Sequence, residues 1–206
     1  MGRTNPLLAF ACFISKGGWS RGLCAPLFRK LEILDIVDKR GRICGAAPRS
    51  RVHGDNRLLH RVVHVLIFDN NGRLLLQKRS MKKKVAPDKW DTSVGGHIDF
   101  GESPDNAMHR EMEEELGLKP LCPEFAYSYI HANNFESELV FTYISGYEGS
   151  PRPNPAEIEK VRFWSHGEII AALGTGRLSD NFEDEFNRYI HHEGHGPERG
   201  FKIQCC

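Results

Sequence analysis

The 206-residue chain carries 28 Lys and Arg against 27 Asp and Glu, and 40% of its residues are hydrophobic. This length suits one domain with its own core. A formal net charge of +1 disfavours a dedicated nucleic-acid binder, which shows a strong basic bias. The apolar run 7–14, eight residues long, is too short to span a membrane, so we expect no membrane partner.

The two ends of the chain differ from its middle. Residues 1–31 contain no Asp or Glu, which is also typical of transit peptides and weak signal sequences, and we expect them to form a basic, poorly ordered extension. Residues 32–193 are predicted to form the domain, and 194–206 a tail. The six cysteines show no C-x-x-C spacing, which is typical of reduced thiols, so we expect a cytoplasmic protein.

Alternating and β-branched apolar runs predict seven strands, separated by turn residues. The predicted strands are 32–37, 43–47, 60–68, 73–78, 124–130, 138–147 and 161–164. A central helix is predicted after the fourth strand, and two more helices, 168–173 and 181–192, follow the last one. The expected inner face of the final helix consists of Phe182, Phe186, Tyr189 and Ile190. This order predicts an α/β fold, an α/β/α sandwich with a mixed sheet.

The central helix has clear ends. Ser103 is a good N-cap, Pro104 suits the first helical position, and Gly117 suits a left-handed C-cap. An apolar stripe between them is expected to face the core: Met108, Met112 and Leu116. We expect Arg110 to point away from the neighbouring carboxylates and to brace the loop before the helix.

Three glutamates on this helix form an unusual charge cluster. Glu111, Glu114 and Glu115 are three and four residues apart, so they share one helix face. Such carboxylates repel one another, and a hard divalent cation would remove the repulsion. A solvated acidic face is the alternative interpretation. The fixed spacing of Glu102 and of the Arg110-Glu111 pair disfavours it.

The segment 96–118 resembles the Nudix box. Every defining position matches: Gly96, Glu102, Arg110, Glu111, Glu114, Glu115 and Gly117, with apolar residues at 112 and 118. The resemblance implies a hydrolase that uses Mg²⁺ or Mn²⁺ to cleave a diphosphate joined to another group. It implies Glu111 and Glu115 as the principal metal ligands, with Glu114 and Glu102 close by, directly or through water. Gly96 lets the backbone approach a ligand, and its carbonyl oxygen is a further candidate ligand.

Three other segments resemble isopentenyl-diphosphate isomerases, a branch with the same fold: His60-Arg61, residues 90–97 and Glu136-Ser137-Glu138. This resemblance implies that His97, His60, Glu136 and Glu138 surround a metal. It also implies that Arg79 and Lys83 bind the substrate diphosphate, although a basic cluster is often only a solvated face. The isomerases carry a catalytic cysteine where this chain has Gly95, which has no side chain to move a proton. Hydrolysis is therefore favoured over isomerisation.

The site prediction has three parts. The candidate catalytic bases are Glu114, Glu115 and Glu138. The candidate metal ligands are Glu111, Glu115, Glu114, Glu102, Gly96 and His97. The candidate substrate-binding residues are Arg79, Lys83, His60 and Glu136.

The sequence leaves the substrate open. We expect a small-molecule diphosphate, with Mg²⁺ or Mn²⁺ as cofactor. Aromatic residues that would either stack on a base or pack in the core are Trp90, Tyr127, Tyr129 and Phe135. Isomerisation of isoprenoid diphosphates and a non-catalytic nucleotide-binding module remain alternatives, and the resemblance allows a homodimer.

Overall fold

The computed structural model describes residues 32–118 and 122–191. The predicted N-terminal extension and C-terminal tail lie outside these residues. The strands are β1 Ile33–Val37, β2 Ile43–Pro48, β3 Leu59–Phe68, β4 Leu74–Arg79, β5 Trp90–Asp91, β6 Val94–His97, β7 Glu124–Ala132, β8 Ser137–Gly146 and β9 Ile158–Trp164. The helices are α1 Arg49–Val52, α2 Pro104–Leu116, α3 His166–Ala172 and α4 Asp180–His191.

Strand β3 is the centre of the sheet. It runs parallel to β8 over ten residue pairs, and antiparallel to β1, β4 and β6. Strand β7 pairs with β8, and β9 pairs with β4. The sheet is therefore mixed, as the sequence predicts.

Both faces of β3 are covered, because its side chains alternate between the two sides of the sheet. Val63, Val65 and Ile67 pack against the apolar stripe of α2. Leu66 and Phe68 lie in a second core with α3 and α4. The predicted α/β/α sandwich is confirmed.

The ends of α2 are also confirmed. Ser103 Oγ accepts a hydrogen bond from Asn106 N at 3.3 Å, and Pro104 is the first helical residue. Gly117 ends the helix in the left-handed conformation with φ 64°. The buried side of the helix holds the predicted stripe of Met108, Met112 and Leu116.

Three short elements were not predicted. Helix α1 has four residues, and β5 and β6 have two and four. Strand β6 contains Gly95 and Gly96, whose local preference opposes a strand. It forms because Val62 to Val65 of β3 provide an antiparallel partner.

Helix α4 presents the predicted apolar face, with Phe182, Phe186 and Tyr189 buried. Glu185 is fully buried on the same face, which the sequence reading did not predict. Among the described residues, no helix has the length and apolarity needed to cross a membrane.

The central strand should set the stability of the fold. Ile67→Ala removes a side chain with 0% exposure and should lower the free energy of unfolding by about 2–5 kcal/mol. Ile170→Ala, at 55% exposure, is the matched control and should stay within about 0.5 kcal/mol of wild type. Urea denaturation measures both, and equal losses would contradict the described core.

Candidate functional site

Arg110 ties α2 to the loop that precedes it. Its guanidinium donates to both oxygens of Glu102, at 3.0 and 2.8 Å, and to the backbone oxygen of His97 at 2.9 Å. It also donates to Glu111 Oε1 at 2.6 Å. The expected loop brace is confirmed. The expectation that Arg110 points away from the carboxylates is wrong, because its planar fork reaches several acceptors at once.

Glu102 acts in this brace. One of its oxygens bonds Arg110, and the other accepts from both Arg110 and the backbone N–H of Asp99 at 3.0 Å. Its carboxylate is thereby held by protein donors. Its role as a metal ligand stays a prediction.

Glu115 is the most buried carboxylate of the box. Its Oε2 accepts hydrogen bonds from Gln77 Nε2 and from the backbone N–H of Gly95, both at 3.1 Å. Burial, with the nearby charge of Glu111, raises the pKa of Glu115 to about 8. Burial also raises the pKa of Glu111, against the opposing effect of Arg110. Two neighbouring carboxylates that resist ionisation suit a bound cation.

Gly96 makes room for Glu111. A Cβ atom built on Gly96 would lie 2.1 Å from the carboxyl carbon of Glu111, which no real contact permits. The carboxylate therefore occupies the place of a side chain at position 96. This cradle fits a cation bound between the backbone of β6 and the box.

Glu157 adds a further acidic group that the sequence reading did not identify. It forms an ion pair with Lys83 at 2.7 Å, and its charge contributes to the raised pKa of both Glu111 and Glu115. The only feature of the sequence that marks Glu157 is its position between a proline-rich loop and β9. Glu114, in contrast, is largely exposed and lies 3.5 Å from Arg110.

A second cluster combines imidazoles and carboxylates. Ligand atoms of His53, His60 and His97 lie within 4.8 Å of one another, as do those of His60, Glu136 and Glu138. His53 Nε2 lies 3.1 Å from His97 Nε2, and His53 Nδ1 lies 2.9 Å from Glu136 Oε2. Strand pairing sets Glu138 opposite His60.

The two clusters lie on opposite faces of the sheet. Gly96 and His97 are successive residues of β6, so their Cβ directions are opposite. Gly96 meets Glu111 on the α2 side, while His97 stacks on His60. The predicted metal set, which grouped His97 with the box glutamates, is therefore divided between two clusters.

His53 was missed by the sequence reading. It lies at the C-terminal end of α1, seven residues before His60, in a segment without a recognised motif. The turn at the end of α1 places His53 beside His60 of β3. This contact depends on the fold and is not visible in the sequence.

The histidine cluster is suited to a metal. Burial lowers the pKa of His60 to about 4 and lowers that of His97, so both rings are neutral at pH 7. Neutral imidazole is the form that binds metals. His60 Nε2 is buried without a hydrogen-bond partner in the described part of the chain, and it lies 3.7 Å from Glu138 Oε1. A cation there would satisfy an otherwise orphaned acceptor.

Arg79 and Lys83 are engaged with protein groups. Arg79 donates to Asp91 Oδ2 at 3.0 Å and to the Val85 carbonyl at 3.1 Å. Lys83 pairs with Glu157. Both side chains keep partial exposure, and their substrate role stays a prediction.

A third polar group lies deeper on the α4 side. His64 Nδ1 is 2.7 Å from Glu185 Oε2, and Thr142 Oγ1 donates to Glu185 Oε1 at 2.7 Å. Although burial alone would lower it, the adjacent Glu185 carboxylate raises the pKa of His64 to about 9. One sequence signal was available, since Glu185 lies on the inner stripe of α4.

The aromatic candidates divide between core and surface. Trp90, Tyr127 and Tyr129 are buried, and Tyr129 packs with Val62 in the core. Phe135 is exposed and lies 6.1 Å from the ring of His53. Phe135 is therefore the aromatic candidate at the rim of the histidine cluster.

The family model for the NUDIX domain matches residues 58–183, more than half of the chain. The chain belongs to the Nudix family. The matched range includes the box, β3 and most of the residues of both clusters. His53 lies just before it.

Curated relatives agree with this Nudix assignment. An isopentenyl-diphosphate Delta-isomerase of Frankia alni is 35% identical over 162 residues, covering 75% of this chain and 84% of the relative. The isomerase of Agromyces mediolanus is 32% identical over 148 residues, which cover 69% of this chain and 72% of the relative. An uncharacterized Nudix hydrolase of Nostoc is 38% identical over 92 residues, or 45% and 54%.

Solved structures share the Nudix fold of this chain. A protein of Deinococcus radiodurans superposes with a TM-score of 0.68 at 24% identity, over 76% of this chain and 98% of that one. The MutT protein of Methanosarcina mazei gives 0.57 at 22% identity, over 66% and 96%. At these identities the likeness concerns the fold alone.

The His64–Glu185 pair should make stability depend on pH. The pKa of His64 is raised from 6.5 to about 9 in the folded protein. The contribution of the pair to the free energy of unfolding is therefore complete below pH 6.5 and is lost as the pH rises through 9. Wild type should lose about 3 kcal/mol of unfolding free energy over this interval relative to His64→Gln. Guanidinium unfolding across a pH series measures the difference. His109→Gln, at an exposed position of α2, should keep the wild-type slope, and the same slope in His64→Gln would contradict the pairing.

Proposed function

We propose that this protein is a hydrolase, dependent on a divalent cation, that cleaves the diphosphate bond of a small organic diphosphate. The observation that carries the proposal is a pair of carboxylates, the buried Glu115 and the half-buried Glu111, held beside the glycines of β6. Burial, with the charges of neighbouring glutamates, raises the pKa of both carboxyls, so their ionised forms are held at a cost in free energy. A cation and a phosphorylated substrate would offset that cost.

Mg²⁺ or Mn²⁺ bound here would neutralise charge on phosphoryl oxygens and lower the pKa of a bound water. Glu111 and Glu115 would hold it, assisted by the predicted Glu114 and the carbonyl of Gly96. Glu157 supplies further negative charge at the same cluster. Arg110 positions Glu111 through their hydrogen bond.

The second cluster would hold another divalent cation. Its ligands would be His53, His60, His97, Glu136 and Glu138. Mixed imidazole and carboxylate sets suit Mn²⁺ better than Mg²⁺, which prefers oxygen ligands.

The base that activates the attacking water is one of three glutamates. Glu115 is favoured because Gln77 and the N–H of Gly95 fix its carboxylate. Glu114 is largely exposed. Glu138 lies with the histidines, where Asn181 Nδ2 donates to its Oε2 at 2.9 Å.

Substrate binding would draw on the basic side chains at the end of β4. Lys83 lies close enough to Glu115 to favour its charged form, so it also lies near a phosphate held there. Arg79 holds the loop through Val85 and Asp91 and keeps an exposed edge. Two or more positive groups suit the charge of a diphosphate.

Isomerisation of an isoprenoid diphosphate is the second candidate. Relatives named isopentenyl-diphosphate Delta-isomerase favour it, and so does the histidine cluster. Gly95, at the position that the resemblance assigns to a catalytic cysteine, disfavours it. Incubation with isopentenyl diphosphate and Mn²⁺ should give no dimethylallyl diphosphate, and its formation at enzymatic rates would establish this alternative.

Glu115 should be needed for turnover and not for folding. In a panel of organic diphosphates with Mg²⁺ or Mn²⁺, wild type should release a monophosphate product, and EDTA should abolish the release. Glu115→Gln should lower kcat by at least about 100-fold, because it removes both charge and base. Glu113→Gln, on an exposed part of the same helix, is the control. Near-normal turnover of Glu115→Gln would contradict the assignment.

The cradle at Gly96 gives a second test. Gly96→Ala would place Cβ 2.1 Å from the Glu111 carboxyl carbon, so this flexible side chain must move away. Activity should fall at least about 10-fold, while the melting temperature changes little. Gly45→Ala is the control, because nothing lies within 4 Å of its added Cβ. Retained activity of Gly96→Ala would show that the position of Glu111 is unimportant.

A further inference from the structure

The imidazole of His64 takes the place of a side chain that β6 lacks. His64 and Gly95 are directly opposite each other on the antiparallel strands β3 and β6. A Cβ on Gly95 would lie 3.2 Å from His64 Cδ2 and 3.5 Å from His64 Nε2. The ring therefore leans over Gly95, and its Nε2 lies above the strand that joins the two clusters.

Glu185 fixes the other side of this ring. Its Oε2 lies 2.7 Å from His64 Nδ1, and its Oε1 accepts from Thr142. Both carboxylate oxygens are thus used, and the imidazole is held in one orientation. Nε2 makes no hydrogen bond to any residue that the structure describes, and the ring keeps slight exposure.

His64 belongs to the same face as the histidine cluster. On β3, His60, Val62 and His64 alternate onto the α4 side, and His97 pairs with Val62. His64 therefore lies one row beyond His97, about 7 Å along the sheet at two residues of strand rise. A ligand that is bound at the cluster and extends along β6 would next reach His64 Nε2.

We propose that His64 is a further substrate-binding residue, whose Nε2–H donates a hydrogen bond to a phosphoryl oxygen of the diphosphate, with Glu185 and Thr142 as positioning residues. This rests on the proposed function. It places one phosphoryl group of the diphosphate on the α4 side of β6, beside the histidine cluster, and it adds a cationic donor on that face of the sheet.

The acidic groups around the ring maintain its positive charge. The groups that face it are Glu185 from α4, Glu138 from β8 and Asp91 from β5, and all are acidic. They keep the imidazole protonated at neutral pH, since its pKa is about 9. A buried ion pair adds little stability compared with apolar residues of the same shape. The His64–Glu185 pair would instead serve to orient a hydrogen-bond donor towards an anionic ligand.

The first test measures binding without turnover. The probe is methylenediphosphonate, a diphosphate analogue that cannot be hydrolysed, titrated calorimetrically into the full chain with Mg²⁺. His64→Gln should weaken its binding at least 10-fold, and His109→Gln should leave it unchanged. A folded His64→Gln variant that binds the probe as tightly as wild type would overturn the proposal.

The second test needs no His64 variant, so it holds even if His64→Gln does not fold. In protein labelled with ¹⁵N-histidine, the His64 Nε2 signal should shift when methylenediphosphonate is added with Mg²⁺. Glu185→Gln should lower the pKa of His64 and weaken binding of the probe. An Nε2 signal that does not move at saturating probe would show that the pair is structural only.

The two proposals fail in different ways. If the protein hydrolyses no diphosphate, the proposed function fails, although the probe can still bind through His64. If turnover is present and His64→Gln binds the probe normally, only the role of His64 fails.

Discussion

The pairing of β6 with β3 is the constraint on which the rest of the site depends. A four-residue strand with two glycines has little intrinsic tendency to form, and the long partner strand supplies its hydrogen bonds. Because successive side chains of a strand point in opposite directions, this short segment serves both layers of the sandwich. Gly96 opens space for Glu111 beneath α2, and His97 joins the histidines on the other side. One strand therefore contributes to both clusters, although they lie on opposite faces of the sheet.

Much of the site is built from groups that a protein core does not favour. Glu115, Glu138, Glu185, His60 and His64 are all buried, and burial of ionisable groups costs free energy unless they are paired or bound. The pKa values are shifted in opposite directions: that of His60 is lowered and that of His64 is raised. Such divergent shifts within one sheet are typical of sites that bind ions or move protons. The apolar layers around α2 and α4 support this arrangement.

The sequence predicted the features that depend on local spacing. The caps of α2, the position of the box glutamates and the apolar face of α4 all follow from periodicity within a dozen residues. Of the residues brought together over long distances, the grouping of His60, His97, Glu136 and Glu138 was predicted from the resemblance alone, and His53, His64 and Glu185 were missed. His64 and Glu185 are 121 positions apart in the sequence, and His53 and His97 are 44 positions apart. A histidine in a strand buried on both faces has no amphipathic pattern to reveal it. The position of Glu185 on an apolar helix stripe was the one local signal.

The central claim is that β6 separates two cation centres. Crystals soaked in Mn²⁺ and measured for anomalous diffraction test it most directly. The account predicts two manganese peaks on opposite sides of this strand: one beside Glu111 and Glu115, and one among His53, His60 and His97. A single peak, or manganese found only at surface carboxylates, would contradict it.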